Sequence, residues 1–305
     1  MGADDGLGGE EFMSELVMPP ASALTWWPAP AKLNLFLHVT GRSADGYHEL
    51  QTLFQLIDRC DRIGLTPRED GAIERRVGME GVEPEQDLAV RAARLLQRHT
   101  GASLGADIYV VKHIPAGGGL GGGSSDAATV LRALNGLWRT GLAADELAQL
   151  GLALGADVPV FVHGHTAWGE GRGERLLPMP TAPSWFLVVH PGVAVSTAAV
   201  FQAPELTRNS TVLTIRAISA ARTGNVCEPV VRARYPEVAE ALDWLAGQVD
   251  ARGEVVRARM TGTGSCIFAD FKRAEDAERI AARVPDRWTS FVARGLNRSP
   301  LHAML

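Results

Sequence analysis

The sequence predicts an α+β fold of two domains, from its length, its mixed periodicities and one cluster of prolines. With 305 residues, the chain is long enough for one large domain or two modest ones of about 100–200 residues each. Strand-like alternation and helix-like spacing of apolar residues succeed one another along the chain. Pro178, Pro180 and Pro183 stand close together between two such patterns, as in linkers between domains. We therefore expect a disordered acidic extension at residues 1–21, a first domain at 22–180 and a second at 181–305.

The composition is that of an ordinary globular protein. Hydrophobic residues make up 46% of the chain and charged residues 21%, which excludes a disordered chain, a collagen-like repeat and a disulfide-rich mini-protein. The net charge of −5 arises from the first twenty residues, whose charged residues are all acidic: Asp4, Asp5, Glu10, Glu11 and Glu15. Because the rest of the chain is neutral, it lacks the basic excess of nucleic-acid-binding proteins, and we expect no nucleic-acid partner.

The cysteines and the chain ends indicate a cytoplasmic protein. Cys60, Cys227 and Cys266 are scattered, which disfavours both a disulfide framework and a cysteine zinc site and fits a reducing compartment. The acidic N-terminus has no signal-peptide pattern. The uncharged run 176–204 is long enough to span a bilayer, but five prolines interrupt it, so we expect no membrane association. For the assembly, we expect a monomer or a weak homodimer.

The first domain is predicted to begin with a strand of two unlike faces. In Lys32–Val39, every second residue is apolar, so Lys32 and Asn34 share the opposite face. Residues 88–99 have helical spacing, and Gly101 ends that helix. The other predicted elements are strands at 52–57, 62–66 and 106–111, a helix that runs to about Trp138, a helix at 144–154, and short strands at 159–162 and 166–168.

The second domain has the element order of a two-layer split βαβ domain. Its predicted elements are a strand at 185–190, a short helix at 197–201, a helical region at 225–244 broken at Pro236, strands at 255–260 and 266–271, a helix at 274–284 and a strand at 289–293. This order of strand, helices, two strands, helix and strand is typical of ferredoxin-like domains.

A glycine-rich run is the strongest local signal in the chain. Six of the seven residues 117–123 are glycines, between a predicted strand and a predicted helix. Such a run costs chain entropy, but it allows several backbone N–H groups to point at one anion. Ser124 or Ser125 lies where a helix N-cap belongs, and the helix adds its positive end. A flexible connector is the alternative, which we disfavour because a linker would not lead directly into a capped apolar helix.

This phosphate loop belongs to neither of the two common types. A Walker A loop has a lysine where this chain has Gly123. A dinucleotide-binding fold needs a second strand and an acidic residue about 20 residues further on, whereas here one helix follows another.

Three motifs of the GHMP kinase superfamily are resembled by segments of this chain, in the same order. Pro30-Ala-Lys-Leu-Asn-Leu-Phe-Leu37, with Asp45-Gly-Tyr-His48 after it, is similar to the first motif of the superfamily. Pro115–Ser125 resembles its ATP-phosphate loop, and Met260–Cys266 its third motif. Leu154–Phe161 and the tail Asn297–His302 resemble one branch, which acts on a cytidine-diphosphate-linked methylerythritol. The resemblance covers about residues 28–305. It implies a GHMP-kinase-like fold, with an N-terminal mixed α/β domain, a C-terminal ferredoxin-like domain and the active site in the cleft between them.

The resemblance implies a catalytic pair and an ATP site. Asp157 would be the base and Lys32 its electrostatic partner; from the residues alone, Lys32 could be a solvated strand-edge lysine, and Asp157 a turn residue. Pro159 predicts that Asp157 lies at a helix-to-strand corner. The implied ATP contacts are Pro115, Ala116, Gly117, Gly118, Gly119, Leu120, Gly121, Gly122, Gly123, Ser124 and Ser125.

Three further positions near the nucleotide have two interpretations each. Asp87 stands where the family usually has Asn; it contacts adenine or caps the next helix, and we favour the cap. Lys112 lines the nucleotide pocket or is simply an exposed lysine. Gly262 and Gly264 allow a close approach to the phosphates or to the glycine run, or they form a tight hairpin turn.

The resemblance also implies a site for the cytidine end of the substrate. Tyr47 would stack on the base, His48 would hydrogen-bond to it, and Phe201 would oppose Tyr47 unless it is a core aromatic. Thr197, which precedes Phe201 on the same short helix, is also expected to contact the substrate. Asn34 contacts the erythritol hydroxyls or bridges strands. Mg²⁺ is expected to be carried by ATP, since no carboxylate cage is evident, with Ser124 or Ser125 as a contact.

The implied function is ATP-dependent phosphorylation of the 2-hydroxyl of 4-diphosphocytidyl-2-C-methyl-D-erythritol, in non-mevalonate isoprenoid biosynthesis. The partner would be this small molecule with its cytidine diphosphate. Another GHMP kinase, acting on homoserine, mevalonate or a sugar, is one alternative. A non-catalytic nucleotide-binding regulator is a second, which the retained Lys32 and Asp157 disfavour. An oxidoreductase that binds a dinucleotide is a third, disfavoured by the missing strand and acidic residue.

Overall fold

A computed structural model describes residues 24–43, 46–215 and 223–305. The extension expected at residues 1–21 lies outside these ranges, as does Asp45 of the first motif. The strands are β1 (Thr25–Arg42), β2 (His48–Arg68), β3 (Ile73–Val77), β4 (Gly105–Val111), β5 (Ala167–Gly171), β6 (Arg175–Pro178), β7 (Trp185–His190), β8 (Arg259–Met260), β9 (Ile267–Phe271) and β10 (Thr289–Leu296). The helices are α1 (Leu88–Thr100), α2 (Gly122–Leu137), α3 (Ala144–Leu152), α4 (Val158–His163), α5 (Thr197–Gln202), α6 (Glu228–Arg234), α7 (Pro236–Ala246), α8 (Ala274–Ala281) and a 3₁₀ turn at Pro300–Ala303.

The long strand β2 organises the sheet. It pairs antiparallel with β1 over nearly its whole length, and with β5, β10 and β4 in turn. The sequence predicts two strands here, 52–57 and 62–66, but the structure has one. Exposed Asp58 and Arg59 bulge out of the pairing with β1, where the register shifts between Pro30 and Ala31. Two polar residues in an apolar run therefore mark a bulge rather than a loop.

Helices α1 to α4 bury their apolar faces against this sheet. The first core contains Leu96 of α1, Leu131 of α2 and Val160 of α4, which pack with Ile63 and Leu65 of β2. Helix α1 begins where its spacing predicts and ends one residue later, at Thr100, and its C-cap is Gly101 in the left-handed conformation (φ 68°).

The prediction of a strand at 159–162 is wrong, because these residues belong to helix α4. Pro159 lies in the first turn of that helix. Proline is tolerated there because its missing N–H would have no intrahelical partner. Asp157 is thus the N-cap of a helix, not the corner of a strand.

Several other boundaries differ from the sequence prediction. Gly121, with φ 74°, is the N-cap of α2, so neither Ser124 nor Ser125 caps it. Strand β8 has two residues rather than the six predicted at 255–260. The short strands β3 and β6 carry no alternating pattern, and their mostly half-exposed or exposed residues give no signal of a strand.

The second part of the chain forms an antiparallel sheet in the order β10-β7-β9-β8. Helices α6, α7 and α8 pack on it through Val231, Leu242 and Ile280, which meet Leu187 of β7 and Ala269 of β9 in a second core. The connections follow the split βαβ pattern, so the ferredoxin-like prediction is confirmed.

The two parts exchange segments. Leu37 and Val39, at the end of β1, lie in the second core, and the Leu37 N–H donates to the Gly224 carbonyl at 3.0 Å. In the other direction, Leu301 of the 3₁₀ turn lies in the first core, and β10 pairs with both β7 and β2. The domain boundary at residue 180 stays a prediction, since each core takes residues from both sides of it.

Candidate active site

Three adjoining pockets of about 430 Å³ each form one groove. The loop pocket is lined by the glycine run and by Met79, Leu88, Lys112 and Asp126. The central cleft is lined by the glycine run, Lys32, Asn34, Asp157, Arg172, Thr197 and Thr263. The aromatic pocket is lined by Tyr47, His48, Ala156, Arg172 and Phe201. The central cleft shares lining residues with both of the others and therefore connects them.

The glycine run is held from behind by its carbonyl oxygens. The Lys32 N–H donates to the Leu120 carbonyl at 3.0 Å, and the Cys266 N–H donates to the Gly118 carbonyl at 3.1 Å. The Thr261 hydroxyl donates to the Gly119 carbonyl at 3.3 Å. Because these carbonyls point into the protein, N–H groups of the run can face the groove at the N-terminus of α2.

The third motif supports the glycine run by close backbone approach. A Cβ on Gly119 would lie 2.3 Å from the Thr261 carbonyl oxygen, and one on Gly262 would lie 3.1 Å from the Gly119 carbonyl oxygen. Of the two interpretations of Gly262 and Gly264, the structure thus favours close approach to the glycine run. Asn225, to which the sequence assigns no role, donates from Nδ2 to the Gly262 carbonyl at 2.7 Å and fixes this loop.

Lys32 and Asp157 meet in the central cleft. Lys32 Nζ lies 3.2 Å from Asp157 Oδ2, and the lysine is 2% exposed. Nζ also donates to Asn34 Oδ1 at 2.6 Å and to the Gly119 carbonyl at 3.0 Å. The solvated-lysine alternative therefore does not fit. The ammonium links the glycine run to a carboxylate whose side chain is 33% exposed in the groove.

Asn34 serves mainly to hold Lys32. Its Oδ1 accepts from Lys32, and its Nδ2 donates to Thr52 Oγ1 at 2.9 Å. Its backbone N–H donates to Thr261 Oγ1 at 2.9 Å. With its amide group engaged at both atoms, Asn34 fits the strand-bridging interpretation better than a substrate contact.

Asp87 caps α1. Its Oδ1 accepts from the Ala89 N–H at 2.9 Å, and its Oδ2 lies 3.1 Å from Nη1 of Arg75. Both carboxylate oxygens are thus occupied, which supports the favoured interpretation.

Lys112 lies in a buried ionic cluster beside the loop pocket. It pairs with Asp126 Oδ2 at 2.6 Å and with Asp61 Oδ2. Asp61 is fully buried, and its Oδ1 also accepts from the backbone N–H groups of His113 and Ile114, at 2.5 and 2.8 Å. The sequence analysis assigned no role to Asp61 or Asp126. For Asp126, its place as an acidic residue in an otherwise apolar helix could have indicated a charged partner. The cluster fixes the start of the glycine run.

The two serines after the glycine run face different surroundings. Ser124 lines the central cleft. Ser125 is fully buried, and its hydroxyl has no hydrogen-bond partner in the described ranges. Ser124 is therefore the serine that a ligand in the groove can reach.

The aromatic pocket brings together the residues expected to hold a base, with one rearrangement. His48, not Tyr47, stacks on Phe201, with ring centroids 5.2 Å apart and an interplanar angle of 27°. Tyr47 is 55% exposed, and the Arg172 guanidinium lies 3.5 Å from its ring centroid. Thr197 is the first residue of α5, and its hydroxyl lies 2.8 Å from that of Thr263. Phe201 contacts the second core and also lines the groove, so it combines both interpretations.

Two general features of the described residues complete the site. Among residues 24–43, 46–215 and 223–305, no group of three or more His, Cys, Asp or Glu side chains could hold a metal ion. None of the helices in these ranges has both the length and the apolar character needed to cross a bilayer.

The family models and the known relatives agree on one family. The GHMP kinases N terminal domain model matches residues 87–165, and the GHMP kinases C terminal model matches residues 203–290. The chain is 59% identical to the 4-diphosphocytidyl-2-C-methyl-D-erythritol kinase of Halorhodospira halophila, over 92% of this chain and 96% of that one. It is also 59% identical to the enzyme of that name from Alkalilimnicola ehrlichii, over 90% of this chain and 92% of that one.

Two solved structures agree with this assignment, one at the level of the family and one at the level of the fold. A crystal structure of 4-(cytidine 5'-diphospho)-2C-methyl-D-erythritol kinase is 34% identical, with a TM-score of 0.75 over 89% of this chain and 99% of that one. The Methanococcus jannaschii mevalonate kinase, 17% identical over 91% of this chain and 100% of that one, has a TM-score of 0.64 and shows the fold alone. The chain therefore belongs to the 4-diphosphocytidyl-2-C-methyl-D-erythritol kinase family of GHMP kinases.

Proposed function

We propose that this chain transfers the γ-phosphate of ATP to the 2-hydroxyl of 4-diphosphocytidyl-2-C-methyl-D-erythritol, a step in non-mevalonate isoprenoid biosynthesis. The observation that carries the proposal is the Lys32–Asp157 pair, 3.2 Å apart in the cleft between the loop pocket and the aromatic pocket. A phosphate donor on one side and a base-binding pocket on the other would place the acceptor alcohol at this pair.

The donor end of the groove fits a nucleoside triphosphate. The glycine run and the N-terminus of α2 offer backbone N–H groups and a positive helix end to the phosphates. Lys112, whose ammonium pairs with Asp61 and Asp126, lines the loop pocket and is a further proposed nucleotide contact. The whole run from Pro115 to Ser124 is the proposed ATP contact; Ser125 and Asp87 are the members of the expected set that the geometry supports least.

The acceptor end fits a cytidine diphosphate. Tyr47 and Phe201 offer flat surfaces that suit a pyrimidine ring, and His48, stacked on Phe201, lines the same pocket with a ring nitrogen for the edge of the base. Arg172 lines both the aromatic pocket and the central cleft, so its guanidinium can meet a diphosphate that runs from the base to the sugar alcohol.

Asp157 would accept or orient the proton of the attacking hydroxyl. Phosphoryl transfer relies on positioning and on charge stabilisation. The attacking hydroxyl becomes more acidic as the new O–P bond forms, so the carboxylate can take its proton late in the transfer. Lys32 holds Asp157 by an ion pair and holds the glycine run through the Gly119 carbonyl. Lys32 therefore sets the distance between Asp157 and the glycine run.

Mg²⁺ would enter this site bound to the phosphates of ATP. The described residues offer no carboxylate cage, and Mg²⁺ commonly binds through substrate phosphates, waters and few protein oxygens. The Ser124 hydroxyl in the central cleft is the proposed protein contact. When bound, Mg²⁺ would neutralise charge on the β- and γ-phosphates.

An ADP-release assay with Mg·ATP tests the function and its substrate. We expect turnover with 4-diphosphocytidyl-2-C-methyl-D-erythritol and none with homoserine or with the methylerythritol phosphate that lacks cytidine. Turnover with homoserine instead would refute the proposed substrate. ATP binding without turnover of any of them would favour a regulator.

Asp157→Asn tests the catalytic role. The amide keeps the size of the side chain but cannot take a proton, so kcat should fall at least about 100-fold, while the dissociation constant for ATP stays unchanged. Asp145→Asn is the matched control, because Asp145 is 94% exposed at a distance from the groove and should leave kcat unaltered. Wild-type turnover in Asp157→Asn would contradict the role.

A further inference from the structure

Arg208 is an arginine outside every sequence motif, yet it contacts two residues of the aromatic pocket. Its Nε donates to His48 Nε2 at 3.1 Å. One terminal nitrogen, Nη2, donates to the carbonyls of Phe201 and Ala203, at 2.9 and 2.7 Å, and Nη1 donates to the Leu206 carbonyl at 3.0 Å. Four donors of one guanidinium thus tie the C-terminal end of α5 to the first residue of β2.

The contact with Arg208 determines where His48 carries its proton. An arginine has five N–H donors and no acceptor, and it stays charged in proteins. His48 Nε2 must therefore accept, which requires a neutral imidazole with its proton on Nδ1. No described residue accepts a hydrogen bond from this Nδ1–H, while His48 itself lines the aromatic pocket.

The surroundings of His48 keep the ring neutral and flat against Phe201. Burial and then the charges of Arg208 and Arg42 lower the pKa of His48 below its usual value. Arg172 lines the same pocket, and no described carboxylate lines it, so the pocket adds a further positive charge near His48. The stack on Phe201, at 5.2 Å, fixes the plane of the ring.

We propose that Arg208 is a positioning residue that holds His48 with its proton on Nδ1, so that the pocket presents an N–H donor and selects cytosine over uracil. Cytosine offers an acceptor at N3 to such a donor, whereas uracil carries a proton on N3 that would face it. O2 accepts in both bases and does not distinguish them. This inference rests on the proposed function, because it assigns the base selectivity of the same site.

Substitution of Arg208 tests the inference by a split between KM and kcat. Arg208→Met keeps the apolar stem and removes every donor, so the KM for the cytidine substrate should rise about tenfold. The preference over the uracil counterpart should fall by a similar factor, with kcat and the KM for ATP unchanged. Arg208→Lys, which restores a charged donor, should recover most of the preference.

Arg234→Met is the matched control. Arg234 also donates to a carbonyl of α5, that of Ala199 at 3.3 Å, and pairs with the exposed Glu205, but it does not contact His48. It should keep the wild-type KM and base preference. If Arg208→Met keeps both as well, or if Arg234→Met loses both, the inference is wrong.

The pH profile of the KM distinguishes positioning of His48 from a merely structural role, because only positioning predicts opposite pH trends in the wild type and in Arg208→Met. In the wild type, protonation of His48 at acid pH breaks its contact with Arg208, so the KM should rise. In Arg208→Met, the same proton restores a donor on Nδ1, so the KM should fall on acidification. The same pH trend in both proteins would overturn the inference.

Nitrogen-15 NMR of histidine-labelled protein separates this inference from the proposed function. At neutral pH, we expect the His48 signals of the Nδ1–H tautomer in the wild type and their loss in Arg208→Met. This result needs no turnover, so it holds or fails even if the cytidine compound is not a substrate. An Nε2–H tautomer in the wild type would refute the inference.

Discussion

Asp126 lies in α2 behind the loop pocket, where a carboxyl group would not be expected without a partner. It is 4% exposed, its Oδ2 pairs with Lys112, and its Oδ1 has no hydrogen-bond partner among the described residues. Burial and, to a smaller extent, the nearby Asp61 raise the pKa of Asp126 to about 7 against the attraction of Lys112. The carboxyl therefore titrates in the physiological range.

This titration predicts that the free energy of unfolding depends on pH and that Asp126→Asn removes this dependence. An acid whose pKa is higher in the folded state binds its proton more tightly when folded, so its contribution is greatest below its unfolded value of 3.8 and falls as the pH rises towards 7. The free energy of unfolding of the wild type, relative to that of Asp126→Asn, should fall over this window by at most about 1.4 kcal/mol per pH unit. Urea titrations at several pH values measure it.

The matched control for this experiment is Asp286→Asn. Asp286 is exposed and forms no ion pair among the described residues, so its replacement should leave the difference from the wild type flat over the same pH range. A flat difference for Asp126→Asn as well would show that Asp126 keeps an ordinary pKa in the folded protein.

At the scale of elements, the sequence predicted the parts whose signal is local. The spacing of 88–99 and Gly101 each report a preference that tertiary packing does not oppose. The alternation of Lys32–Val39 places Lys32 and Asn34 together as predicted, but a register shift between Asn34 and Leu37 interrupts it. Helix α4 was mispredicted because a proline disfavours a helix in general but not in its first turn. The contacts of Asp61 and Arg208 could not be predicted, since each joins residues more than 50 positions apart.

The glycine run predicts a sharp difference between two of its own glycines. Gly119 has φ 74°, and a Cβ there would lie 2.3 Å from the Thr261 carbonyl oxygen. Gly119→Ala should therefore lose about 1–3 kcal/mol of stability from the backbone conformation alone and weaken ATP binding. Thermal unfolding and ATP titration measure the two effects.

Gly123→Ala is the control within the same run. Gly123 lies in the first turn of α2 with no positive φ, and its Cβ would meet only Leu88 Cδ1, at 3.4 Å. Alanine favours a helix, so stability should be kept or improved. Equal losses in the two variants would show that the contact with Thr261 does not constrain the loop.

At the scale of the whole molecule, the groove depends on segments that the two cores exchange. Lys32 comes from β1, whose end enters the second core, while the chain returns through β10 and the 3₁₀ turn to the first. The third motif that supports Gly119 comes from the second part of the chain. Because both cores contribute to the position of one lysine and one loop, we expect them to unfold together rather than as separate domains.

Leu301→Ala tests this coupling from the end of the chain. Leu301 is 1% exposed in the first core, so its truncation should cost about 2–5 kcal/mol. If the cores are coupled, hydrogen exchange should speed up equally in α2 of the first core and in β9 of the second, although Leu301 belongs to the first alone. Met304→Ala, at a side chain 44% exposed, should change neither. Faster exchange confined to α2 would mean that the cores open independently, and that the groove can lose one wall without the other.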